Sequence, residues 1–223
     1  MSEKLTALVL GGTGEVGKAL VQELMKNEAF SKVILVGRRK TNVEHEKVHE
    51  KIVDYEKLDE HKEVFTDAQV GYCCLGTTRG KSGAKGFVRV DRDYVSHAAK
   101  LLKEAGCSQF HLVSSQGANK GSMFLYIKTK GEAEDLVKEL DFPYLGIYRP
   151  AVLLCDREES RPMEKCTQLL MRGFDWRNKL SVHTYTVACA MVASTLKTAA
   201  SDNVGEKKVD IFENKDILHL GME

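Results

Sequence analysis

The chain has 223 residues, 43% of them hydrophobic, and a formal net charge of +1 with acids and bases interspersed. That length suits one well-cored domain, and the balanced charge argues against an electrostatic nucleic-acid binder. No apolar run reaches membrane-spanning length, and the six cysteines, none in CxxC spacing, read as reduced thiols of a cytoplasmic protein rather than a disulfide framework.

Leu5 to Leu10 is an apolar, β-branched run of the kind that forms a buried parallel strand, and it leaves no room before it for a signal peptide. Gly11-Gly12-Thr13-Gly14-Glu15-Val16-Gly17 follows with the spacing GxxGxxG and runs into a helix from Glu15 to Asn27. Gly11 permits a tight turn, Gly14 lets a phosphate approach the backbone, and Gly17 lets the helix pack close to the strand. A helix N-terminus offers N–H groups and partial positive charge to a pyrophosphate. The same stretch, Gly12 to Ala19, also matches the triphosphate loop GxxxxGK[ST] except at its last position, where Ala19 cannot ligate Mg²⁺. A second near-match, Gly76 to Ser82, is one residue too short.

Lys32 to Gly37 reads as the second strand, with Arg38, Arg39 and Lys40 at its end, and Thr41 to Glu50 as a loop. Lys51 to Tyr55 reads as a third strand, Lys57 to Thr66 as a helix, and Val70 to Gly76 as a fourth strand. A glycine- and lysine-containing loop, Gly80 to Gly86, leads to a long helix from Phe87 to Ala105. Gln109 to Ser114, Leu125 to Leu140 and Tyr144 to Tyr148 complete the alternation as strand, helix and strand. After Pro150 the pattern loosens into a charged loop at Asp156 to Pro162, a short helix at Met163 to Met171, a helix at Val182 to Ala199 and an edge strand at Val209 to Phe212. Such alternation implies an α/β doubly wound parallel sheet with helices on both faces. We read 1–223 as a single domain, with a small C-terminal substrate region at 155–180.

Tyr126 and Lys130 have the spacing YxxxK, which places them on one helix face. A nearby cation favours tyrosinate, which helps a tyrosine exchange protons with an alcohol or carbonyl. Ser114-Ser115 ends the fifth strand, and a hydroxyl there could bond a substrate oxygen. Ser115 is taken as the catalytic member, with Ser114 as the fallback.

These residues together resemble a short-chain dehydrogenase/reductase of the atypical kind. The resemblance rests on Gly11 to Gly17, Asp54, Leu75-Gly76, Ser114-Ser115, and Tyr126 with Lys130. More narrowly, Leu35 to Lys40, Cys73 to Lys81, Gly86 to Tyr94 and Arg149 to Arg157 resemble the HIV Tat-interacting oxidoreductase family. The resemblance implies a Rossmann-like fold that binds NADPH. It places Gly11, Thr13, Gly14, Glu15, Val16 and Gly17 at the pyrophosphate turn, Arg38 and Arg39 at the adenosine end, and Asp54 near the adenine. Leu75 and Gly76 would pass under the ribose, Tyr126 and Lys130 would sit at the nicotinamide ribose, Leu153 would line the nicotinamide, and Arg161 would close over the cofactor. It implies protein partners in transcription or nuclear transport, and so a nuclear as well as a cytoplasmic location. Two departures stand out: Asp91 lies where many such reductases carry asparagine, and the amphipathic segment that precedes the first strand in human-like members has no counterpart.

NAD-preferring proteins of this fold place a carboxylate at the end of the second strand. None lies between Gly37 and Val43, and Arg38 and Arg39 suit a 2′-phosphate instead. The expectation is therefore an NADPH-dependent oxidoreductase that reduces a small carbonyl substrate, with no metal, nucleic acid or membrane partner. The rival readings are an NADPH-binding sensor or interaction module of low turnover and, on the Gly12 to Ala19 near-match, a P-loop kinase.

Overall fold

The computed structural model describes residues 4–154, 181–201 and 207–222. Arg161, the Met163 to Met171 helix and all of the expected 155–180 substrate region lie outside them. Seven parallel strands form one sheet: β1 (Leu5–Leu10), β2 (Phe30–Gly37), β3 (Val48–Ile52), β4 (Val70–Cys73), β5 (Gln109–Val113), β6 (Tyr144–Arg149) and β9 (Lys208–Glu213), in the order β3-β2-β1-β4-β5-β6-β9. A separate parallel pair is made by β7 (Val152–Leu154) and β8 (Ser181–His183). The helices are α1 (Glu15–Lys26), α2 (Arg79–Val88), α3 (Tyr94–Glu104), α4 (Leu125–Lys138), α5 (Thr184–Ala199) and α6 (Asn214–Leu220). This is the Rossmann-like doubly wound α/β fold.

Strand alternation builds a core on each face. Leu8, Leu10, Ile34, Val36, Phe110 and Leu112 point to one face, where Val95, Leu102 and Val137 of α3 and α4 cover them. Ala7, Val9, Val33, Leu35, Val70 and Tyr72 point to the other, beneath Leu20 and Leu24 of α1 and Val187 and Met191 of α5. Because β1 pairs with β2 on one side and β4 on the other, the strand order reverses there and opens a crevice above their C-terminal ends.

Several boundaries differ from the sequence expectation. The third strand runs Val48–Ile52, three residues earlier than expected, since its pairing with β2 starts at Val33 opposite Val48. Tyr55 instead begins a kinked 3₁₀ helix, Tyr55–Phe65, which the Asp54 side chain caps through the Glu56 N–H. The Gly80 to Gly86 stretch is helical rather than a loop: α2 has two helical segments joined at Gly83, whose φ of +68° breaks the ladder. The long helix from Phe87 is likewise divided, with a π turn at Arg89–Asp93 between α2 and α3. Ser181–His183 pairs as a strand, so α5 starts at Thr184. Both strands of the short β7–β8 pair and α6 escape periodicity arguments because they are too short to show a period.

Between β5, β6 and α5 lies a buried polar network. His111 Nδ1 meets the Tyr148 hydroxyl at 3.0 Å, and its Nε2 meets Thr195 Oγ1 at 3.1 Å; Thr195 also meets the Tyr72 hydroxyl at 2.6 Å. Burial pushes the His111 imidazole down to about 3. The unfolded chain therefore binds a proton that the folded chain refuses between roughly pH 6.5 and pH 3, so this group's contribution is intact above about pH 6.5 and is lost as pH falls. The slope is about 1.4 kcal/mol per pH unit. Urea unfolding should thus show about 2 kcal/mol lower stability at about pH 5 than at about pH 7.5 from this residue. His111→Gln should remove most of that difference; an unchanged pH dependence in the variant would assign it elsewhere.

Candidate dinucleotide-binding cleft

The crevice is a cleft of about 1450 Å³ walled by the β1–α1 turn, the ends of β2 and β3, the β4–α2 turn, α4 and Leu153. Its floor depends on missing side chains. Gly11 has a φ of +83°, and a Cβ there would lie 2.6 Å from the Cys74 carbonyl group. A Cβ on Gly17 would lie 2.2 Å from the Gly11 oxygen, so Gly17 sits behind the turn as a packing residue and forms no wall of the cleft. Gly14 caps α1 in extended geometry (φ −80°, ψ 166°), with no side-chain cap. The turn thus brings bare backbone and a helix N-terminus to the cleft, a cradle suited to a pyrophosphate. Thr13, Gly14, Glu15 and Val16 line it as expected.

At the β2 end, Arg38 and Arg39 line the cleft, with no ion-pair partner among the described residues. Asp54 does not; its exposed carboxylate is spent on the helix cap. Three neighbours that sequence reasoning missed line this end instead: Glu50, Ile52 and Tyr55. Glu50 accepts hydrogen bonds from the Thr41 N–H and hydroxyl, and the hydroxyl bond holds its carboxyl below the usual range. Ile52 leaves 49% of itself exposed, and Tyr55 donates its hydroxyl to the Val36 carbonyl at 3.0 Å. No signal in the sequence marks them, because their place follows from the register of β3, whose last residue, Ile52, pairs with Gly37 at the end of β2.

At the α4 end, Tyr126 and Lys130 line the cleft from one helix face. Tyr126 is half-exposed and its ring stacks on buried Phe87, with centroids 5.7 Å apart. Lys130 is buried, and its Nζ lies 2.8 Å from Oδ1 of Asp91, itself fully buried. Asp91 Oδ2 accepts the Thr77 N–H at 2.8 Å. Burial alone would lower the Lys130 ammonium, but its neighbours, Asp91 first among them, outweigh burial and raise it above the ordinary lysine value.

Ser115 is corrected by the structure. It does not line the cleft, and its hydroxyl makes only a 3.5 Å contact with the Gln116 carbonyl. Ser114 lines it, because Val113 ends β5 and the next residue follows the strand toward the crevice. The Ser114 hydroxyl donates to buried Glu134 at 2.5 Å, and Arg149 grips the same carboxylate with two contacts of 3.0 and 2.6 Å. With its proton committed to Glu134, Ser114 offers the cleft acceptor lone pairs. Lys18 and Lys81, the lysines of the two triphosphate-loop near-matches, also line the cleft. Cys73 and Cys107 are buried free thiols, each pushed up to about 12 by burial, so they are chemically quiet.

The geometry makes two substitutions separable. Gly17→Ala should lower stability by at least about 1–3 kcal/mol, since its methyl meets backbone that cannot yield. Gly14→Val has a φ that valine accepts, so it should fold yet lose dinucleotide binding through obstruction of the turn. Thermal melts paired with calorimetric titration separate the effects; full affinity in folded Gly14→Val would place the phosphates elsewhere.

A family profile described as NAD(P)H-binding matches residues 11–199. Protein HTATIP2 of Rattus norvegicus is 46% identical, over 98% of this chain and 90% of that protein. Protein FMP52-2, mitochondrial, of Scheffersomyces stipitis is 31% identical over 96% of each chain. Among solved structures, MoeE5 in complex with UDP-glucuronic acid and NAD superimposes with a TM-score of 0.70 at 17% identity, over 93% of this chain and 75% of that one. The UDP-glucuronic acid 4-epimerase of Bacillus cereus in complex with NAD gives 0.69 at 17% identity, over 93% and 78%. At such identity these two show the fold alone. The yeast relatives, FMP52 of Lodderomyces elongisporus among them, are named as mitochondrial proteins, which overturns the cytoplasmic and nuclear expectation. No described helix is long and apolar enough to cross a membrane. The chain belongs to the NAD(P)H-binding Rossmann family and, within it, to the Tat-interacting oxidoreductase family.

Proposed function

We propose that this protein is an NADPH-dependent reductase of a carbonyl substrate. The observation that carries the reading is the convergence of Tyr126, Lys130 and Ser114 on the cleft that the glycine turn opens. A binding module needs the glycine turn but has no need of a phenol, an ammonium and a hydroxyl gathered beyond it. In this reading the Gly11 to Val16 turn receives the pyrophosphate, and Ile52 and Tyr55 flank the adenine. Arg38 and Arg39 pair with the 2′-phosphate through guanidinium forks. Leu75 and Gly76 form the floor under the ribose, Leu153 covers the nicotinamide side, and Lys130 bonds the nicotinamide ribose. Bound NADPH supplies the hydride. Tyr126 delivers its hydroxyl proton to the carbonyl oxygen, and Ser114, as an acceptor, orients the hydroxyl that results. The names of the yeast relatives support a mitochondrial location for this chain as well.

Single-turnover oxidation of NADPH against a panel of aldehydes and ketones tests this. Tyr126→Phe should lower the rate by roughly 10²–10⁴, the usual contribution of a positioned acid, with little change in NADPH affinity. Unchanged rates in the variant would remove Tyr126 from the chemistry. Binding without turnover on any substrate would instead favour a nucleotide-responsive interaction module.

A further inference from the structure

Asp91 is the one buried residue of the five-residue π turn between α2 and α3. Such turns are rare and recur at functional sites. Both of its carboxylate oxygens are used, one by the Lys130 ammonium and one by the Thr77 N–H, each at 2.8 Å. Gly76 lies beside this carboxylate, where a Cβ would make ordinary contact with Oδ1 at 3.5 Å. One carboxylate therefore ties the β4–α2 turn to α4, and all of these residues line the cleft. Stability does not account for the arrangement, because a buried ion pair is often no better for folding than apolar residues of the same volume. The groups facing Lys130 are Asp91 from the π turn, Cys73 and Cys74 from the end of β4, and Tyr126 on its own helix. Of these, Asp91 alone is a carboxylate, and both thiols stay protonated because burial raises them.

We propose that Asp91 is a positioning residue: it keeps the Lys130 ammonium charged and aimed into the cleft, and through Thr77 it locks the turn below the cofactor site to α4. The proposal rests on reading the cleft as an NADPH site, but its first test does not. Asp91→Asn keeps an acceptor for Thr77 and removes the charge. The Lys130 side-chain ¹³C shift, followed with pH in the cofactor-free protein and assigned with Lys130→Arg, should then titrate at least about one pH unit below wild type. NADPH affinity of the variant should fall by about twofold or more relative to wild type between about pH 7 and pH 9.5, as the ammonium is lost. A Lys130 titration unchanged by Asp91→Asn overturns the proposal. An altered titration with no NADPH binding by the wild-type protein would sink the cofactor reading and leave the positioning of Lys130 standing. Should Asp91→Asn not fold, adding Lys130→Met should restore folding, since the cost is the orphaned ammonium; failure of that rescue also overturns the proposal.

Discussion

The structure depends on the approach of α1 to the ends of β1 and β4, closer than any side chain would permit. Gly11 lies against the Cys74 carbonyl, and Gly17 lies against Gly11 itself. These contacts set the first turn directly over the point where the strand order reverses. A Cβ at either position would push helix from sheet, and the crevice would lose both its floor and its helix N-terminus. The two cores hold this geometry in place from outside: Leu20, Val21 and Leu24 seat α1 on Ala7, Val9 and Leu35.

Charge within the cleft divides into cations that line it without a partner and one that is buried and paired. Lys18, Arg38, Arg39 and Lys81 line it with no ion-pair partners among the described residues, a field suited to an anionic ligand. Lys130 is different, being buried and neutralised by Asp91. Glu50 opposes the arginine end, but its carboxylate is occupied by Thr41, which draws the loop after β2 toward β3. The same logic separates the two serines at the end of β5. Ser114 is fixed by Glu134 and, through it, by Arg149 and Glu213, whereas Ser115 has no comparable anchor.

Much of this was legible in the sequence, for definite reasons. Continuous apolar runs such as Leu5 to Leu10 and Val33 to Val36 mark strands covered on both faces, and the GxxGxxG spacing marks the turn. Tyr126 and Lys130 could be placed on one face because helical period fixes it. What periodicity could not supply was anything set by tertiary pairing. The start of β3 follows from its register with β2, and α2 is helical although Gly80, Gly83 and Gly86 argue against it, since buried Phe87 anchors its last turn. Ser114 and Ser115, adjacent at a strand end, cannot be told apart in the sequence without knowing which way the chain leaves. The family resemblance implies Asp54 at the adenine, whereas its side chain closes a helix end and Tyr55 takes the wall. The match over residues 11–199 supports the cofactor class, the near-full-length likeness to HTATIP2 shows the narrower family, and the mitochondrial names of the yeast relatives speak against the cytoplasmic and nuclear expectation.

The central claim is that this cleft takes a dinucleotide by its phosphates and distinguishes the 2′-phosphate through Arg38 and Arg39. Parallel calorimetric titration of NADPH and NADH, on the wild-type protein and on Arg38→Ala and Arg39→Ala, tests it most directly. The account requires a preference for NADPH of about tenfold or more, from charge-assisted bonds of about 1.5–3 kcal/mol each. Each substitution should reduce that preference, added salt should narrow it, and NADH binding should stay nearly constant. Equal affinity of the wild-type protein for the two cofactors would contradict it.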